Sequence, residues 1–218
     1  MFSKILKVEY LTLIFSMGFI FCPLILSLKY FRSYPKELKV ISIHLLLIGI
    51  LALYSASLWL SSKNNLPVLH IYTMIEFSTI MLFYQIVFKD SISRIWFILL
   101  ISGFLAFCLI NAFWIQKWQI FNTYPRTLQS IVIISTSLFY YYKITRQTLY
   151  IQIEKSATFW INTGFFIYFS GSFLLFMLSN YILPLSLKFN MIVWQLHAFL
   201  SCILYSLIFI GLWQRRKA

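Results

Sequence analysis

Glu76 stands in the middle of an apolar run, residues 66–88. A charged side chain at such a place costs about 2.5–3.5 kcal/mol on the membrane-insertion scale, and ionisable groups kept inside a bilayer tend to carry function. Tyr72 and Thr73 lie four and three residues before Glu76, and Thr79 lies three after, so helical spacing puts them on its face. His70 sits about 120° round the helix from Glu76, with Thr73 between them. A stripe this polar has to face protein or water. Arg126, Gln129 and Ser130 open a later apolar run. Asn190, Trp194, His197, Ser201 and Tyr205 follow helical spacing in the last run. Brought together, Glu76, His70, Tyr72, Thr73, Arg126, Gln129, Trp194 and His197 would line a polar pocket for a small ligand or ion.

Two kinds of role fit these residues. In a functional role Glu76 is a proton carrier, a ligand anchor, or an acid/base group partnered by His70 or His197. In a structural role it is a paired carboxyl that ties helices together through Tyr72, a histidine or Arg126. No catalytic set is assigned. A metal centre is not expected, because the three histidines show neither HxxxH nor HExxH spacing. His44 falls near the end of its run and reads as a snorkelling or hydrogen-bonded interfacial histidine. Cys22, Cys108 and Cys202 are odd in number and lie inside apolar runs, so they read as small buried hydrophobes.

The elements that position these residues follow from composition. Of the 218 residues, 61% are hydrophobic and only 11% are charged, against about 45–50% and 25% in a soluble domain. Such a chain could not cover a water-facing surface, whereas lipid accepts it. The aromatic share of 20% adds Phe for apolar positions and Tyr and Trp for the headgroup level. Trp59, Trp114, Trp118 and Trp213 lie at segment ends, as an interfacial belt requires. The net charge of +13 falls between apolar runs and forms no basic stripe on an exposed helix. It therefore points to lipid headgroups and topology and not to nucleic acid.

A span needs about 20 mainly apolar residues. The expected fold is all-α, a single domain of seven transmembrane helices at about 10–28, 38–60, 66–88, 94–114, 127–144, 157–179 and 189–213. The first is read as a retained helix, since no small-x-small cleavage site follows it. Ser33-Tyr34-Pro35, Asn64-Asn65-Leu66-Pro67, Tyr124-Pro125-Arg126 and Leu183-Pro184 punctuate the breaks. Twelve of the 18 Lys and Arg residues fall on one side of this arrangement, so that side is expected to be cytoplasmic. That places the N-terminus outside and the C-terminus inside, with Arg215-Arg216-Lys217 as an anchor. Lys4 and Lys7 argue the other way. A weak echo suggests a 3+1+3 parallel repeat: Lys29-x-x-Arg32 against Lys143-x-x-Arg146, and Tyr54-Ser55-x-Ser57 against Tyr168-x-Ser170-x-Ser172.

Three seven-helix families were compared with these residues. Retinal proteins need a lysine within the last helix, and 189–213 contains none. Sugar exporters of the three-plus-one-plus-three type resemble the chain in helix count and in the echo, but their Pro-Gln pairs are replaced by Pro23-Leu24 and Pro125-Arg126. Alkaline ceramidase-like hydrolases carry an HxxxH zinc pair in the last helix, where this chain has only His197. The expectation is thus a bacterial-type inner-membrane protein without a cofactor. It would bind a small molecule or ion as a transporter or as a sensor, with a homo-oligomer or separate signalling partner. An intramembrane enzyme acting on a lipid-like substrate, or a structural subunit, is the alternative.

Overall fold

A computed structural model describes residues 18–146 and 152–216. Expectations for residues 10–17 and for Lys4, Lys7 and Lys217 lie outside these. Among the described residues the structure is helical throughout, without strands. Seven α-helices among the described residues run in order: α1 Phe21–Lys29, α2 Lys36–Leu60, α3 Leu66–Val87, α4 Arg94–Ile110, α5 Thr123–Thr145, α6 Ala157–Ile182 and α7 Leu187–Arg216. α4 continues into a π-helical turn, Asn111–Ile115. α2, α3, α4 with its π-turn, α6 and α7 are long and apolar enough to cross a membrane, which marks a membrane protein. α5 is long enough but carries buried serines, Gln129 and Arg126, so it lacks the apolar content of the other five.

The chain divides into two compact units, one of residues 1–26 with 130–218 and the other of residues 27–129. In the second unit α2 packs along α3 and α3 along α4. The buried stripe of α4 runs Phe97, Phe104, Cys108, Asn111, and Phe104 stacks on Phe77 of α3 at 3.8 Å between ring centroids. The opposite face of α4 leaves Trp96, Leu99 and Trp114 exposed. In water so large an apolar patch would be an interaction site or a liability; in lipid it costs nothing.

Local chemistry explains the turns at one end of this unit. Asn64 Oδ1 accepts from the Leu66 backbone N–H at 2.9 Å, and Pro67 occupies the first turn of α3, where no N–H is needed. Asn65 Nδ2 donates to Ser55 Oγ at 2.9 Å and fastens the turn to α2. After the π-turn, Lys117 adopts a left-handed backbone (φ 37°), which lets the chain reverse toward α5. Asn64 Nδ2 reaches Gln119 O at 3.5 Å, so the α2–α3 and α4–α5 connections share one end.

In the first unit α6 packs along α7. Small residues make that approach close, as membrane helices do in place of a hydrophobic drive. A Cβ on Gly171 would meet Leu200 Cδ1 at 2.9 Å, and one on Gly211 would meet the Ala157 carbonyl oxygen at 2.8 Å. Leu200 is a flexible side chain that can yield, whereas the Ala157 oxygen is backbone. Gly211→Ala is therefore expected to lower the unfolding temperature by several degrees. Gly103→Ala, where a Cβ meets nothing within 4 Å, should leave it unchanged or raise it slightly, since alanine is the better helix former by about 1 kcal/mol. Equal effects at the two positions would show that the close approach at Gly211 is not a constraint.

Candidate functional site

Glu76 lies at the centre of α3, about 15 Å along the axis from Leu66, and is 3% exposed. It is the one buried acidic residue among the described residues, and Arg126 is the one buried Lys or Arg. The two form an ion pair through Arg126 Nη1 and Glu76 Oε2. Gln129 Nε2 donates to the same Oε2 at 2.7 Å. The Arg126 guanidinium also lies over the Tyr72 ring, 5.2 Å from its centroid. Glu76, Tyr72, Arg126 and Gln129 are thus brought together by α3 and the first two turns of α5. A buried pair of this kind survives in an apolar setting because each charge meets the other and further hydrogen bonds share the load.

The start of α5 decides this arrangement. The sequence expectation began that helix at 127; it begins at Thr123, and Arg126 is inside the helix and 5% exposed. Gln116, just after the π-turn, makes the earlier start feasible. Its Nε2 donates to Thr123 Oγ1, and its Oε1 accepts from the Tyr124 N–H at 3.1 Å. An orphan N–H of the first turn is thereby satisfied.

Asn122, which the sequence reading passed over, extends the network by one turn. It lies four residues before Arg126 and seven before Gln129, immediately ahead of α5, where its carbonyl accepts from the Arg126 N–H at 3.1 Å. Its Nδ2 donates to Thr73 Oγ1 at 2.8 Å, while the Thr73 hydroxyl donates to Leu69 O at 2.8 Å. The 122, 126, 129 spacing was a legible signal once the helix was known to start early. His70 is 2% exposed; its Nε2–H donates to Ile120 O at 3.1 Å, and its ring lies 5.0 Å from Trp118. It closes the loop onto α3 and is not a partner of Glu76.

His44 is buried, 2% exposed, and hydrogen-bonded within the protein, so it does not snorkel. α2 begins at Lys36, so His44 lies two turns inside. Thr79 Oγ1 already donates to Ile75 O at 2.8 Å. The 2.7 Å contact between His44 Nδ1 and Thr79 Oγ1 therefore has the imidazole N–H as donor.

His197 and Trp194 belong to the other compact unit. There Tyr168 OH and His197 Nε2 are 2.9 Å apart, and the rings of Trp194 and Phe176 lie 5.6 and 5.5 Å from the imidazole. Among the described residues no three His, Cys, Asp or Glu side chains are grouped to hold a metal ion. The described cysteines are free thiols.

The structure therefore defines a class: an all-helical membrane protein with a buried, hydrogen-bonded Glu–Arg–Gln cluster in one of its two units. No family model, curated protein or solved structure matches the chain.

Proposed function

We propose that this chain is an inner-membrane protein that binds a small ligand or ion at Glu76, in the outer half of the bilayer, and either transports it or reports its presence to a partner. One observation carries the reading. A carboxylate at mid-span has both described donors, Arg126 and Gln129, on a single oxygen. A carboxylate offers about four acceptor sites, so Oε1 remains for a ligand. A purely structural tie would use both oxygens, because every unused acceptor in an apolar setting costs stability.

Orientation rests on charge. In the unit that holds Glu76, Lys29, Arg32, Lys36, Lys39, Lys89 and Arg94 flank one end, whereas Lys63 and Lys117 flank the end near His70 and Asn122. The positive-inside rule makes the first end cytoplasmic and opens the Glu76 site outward. A seven-span, multi-pass arrangement with the C-terminus inside belongs to the same reading. As a sensor the chain would signal through its basic cytoplasmic loops to a separate partner or a second copy; no cofactor is required. An intramembrane enzyme ranks behind, since the partners of Glu76 are a guanidinium and an amide, neither of which exchanges protons readily near neutral pH.

The test is an unbiased small-molecule and ion screen by thermal shift on the purified protein, comparing wild type with Glu76→Gln. A compound that stabilises only the wild type is the expected result. Compounds that stabilise both proteins equally would remove Glu76 from ligand binding.

A further inference from the structure

We infer that the Glu76 site takes a neutral polyhydroxylated ligand, of the sugar or polyol class, and not an ion. This rests on the ligand-binding reading above and deepens it.

The first argument is charge. Glu76 and Arg126 neutralise each other, and no other described charged side chain is buried. A cation approaching Glu76 Oε1 would stand within a few ångström of Arg126, and an anion would face Glu76. The pair carries no net charge, so either ion would gain only partial Coulomb attraction against the full cost of its own desolvation. A neutral ligand meets no such penalty.

The second argument is the hydrogen-bonding capacity left over. Gln129 Oε1, Asn122 Oδ1 and both polar atoms of the Asn111 amide are buried without a hydrogen-bond partner. The assignment of these atoms as acceptors is chemical. Gln129 must present its nitrogen to the carboxylate, which only accepts. Asn122 must present its nitrogen to Thr73 Oγ1, whose proton is given to Leu69 O. The surplus is therefore several acceptors and one amide donor, Asn111 Nδ2. Hydroxyl groups both donate and accept, so a polyol can satisfy the whole set.

The third argument is placement. Asn122 immediately precedes α5 and Gln129 lies two turns inside it, about 10 Å further along. Phe104 stacks on Phe77, and α4 runs antiparallel to α3. Asn111, seven residues beyond Phe104, is then level with His70, seven residues before Phe77. Asn111 also opens the π-turn, a distortion frequent at functional sites. One isolated hydroxyl covers one of these atoms, whereas a chain of adjacent hydroxyls covers several.

The experiment uses the full chain in lipid nanodiscs, read by saturation-transfer NMR and thermal shift. The probes are glucose, galactose and sorbitol; sodium and ethylammonium chlorides; and acetate. The expected result is saturable binding of at least one polyhydroxylated probe, weakened tenfold or more by Asn111→Leu. The same variant should raise the unfolding temperature of the unliganded protein by several degrees, because it replaces an unpartnered buried amide with an apolar group of similar size. A merely structural Asn111 would give a fall instead and overturn the assignment. Should Asn111→Leu not fold, Asn111→Ala tests the same loss of binding with no added bulk. Stabilisation by excluded osmolyte, which does not saturate and is equal in the variants, counts against the proposal. A sodium, ethylammonium or acetate response that Glu76→Gln abolishes overturns the polyhydroxylated class and leaves the Glu76 reading standing. Silence from every probe overturns the polyhydroxylated class, and the Glu76 reading is then decided by the unbiased screen above.

Discussion

Arg126→Met is expected to destabilise the protein by about 3–5 kcal/mol, while the double variant Glu76→Gln/Arg126→Met recovers most of that loss. The single change leaves Glu76 buried at mid-span with only Gln129 against Oε2. The desolvation cost of the carboxylate is then uncompensated, or the group must take up a proton and present a donor where Gln129 also presents one. Removing both charges leaves two neutral side chains of similar volume, and a buried ion pair replaced in this way is often close to neutral in stability. Arg126→Lys should fall between, because an ammonium restores the charge but not the planar contact with Tyr72. Reversible unfolding in mixed micelles measures all four proteins. Additive losses from Glu76→Gln and Arg126→Met would mean that the pair carries no coupling energy.

Phe77→Ala should cost about 3–5 kcal/mol by the same assay. Phe77 is fully buried and stacked on Phe104, so truncation leaves a cavity between α3 and α4 that backbone movement fills only in part. Leu82→Ala, on the same helix but 42% exposed, should change stability by well under 1 kcal/mol, since lipid replaces the lost contacts. Phe77 also adjoins Glu76 and sets the level of Asn111. Its truncation should therefore blunt any ligand response that depends on Glu76. A normal response in a destabilised Phe77→Ala protein would detach the α3–α4 packing from the site.

Much of the fold was legible in order. Runs of about 20 apolar residues and Pro67 after Asn64-Asn65 announced where helices begin. The cap of α6, where Ser156 Oγ accepts from the Phe159 N–H, came from the structure. The start of α5 was not legible. Pro125 and Arg126 read as a boundary, because proline and a cation usually stand outside a membrane helix. The observed helix takes in Pro125 within its first turn and satisfies Arg126 with Glu76, 50 residues away. For His44 the hydrogen bond was anticipated but its partner was not: Thr79 lies 35 residues away on the next helix.

Glu76 was conspicuous from sequence because the cost of a charge in a membrane depends on its own position and on little else. Helical phase was equally local, so Tyr72 and Thr73 fell on its face by counting. What only the tertiary structure decided was the choice of partners. The sequence offered Tyr72, a histidine or Arg126 as partners of Glu76, with Gln129 only among the pocket residues. Packing selected Arg126 and Gln129, turned His70 to the Ile120 carbonyl, and gave His197 its own partners, Tyr168 and Trp194, in the other unit. It also revealed Asn111 and Asn122, whose neutral amides cost too little in a sequence to draw notice. The physical reason is range. Helical periodicity and insertion cost act within a few residues. A hydrogen bond between α3 and α5 depends on how two surfaces some 50 residues apart fill the space between them.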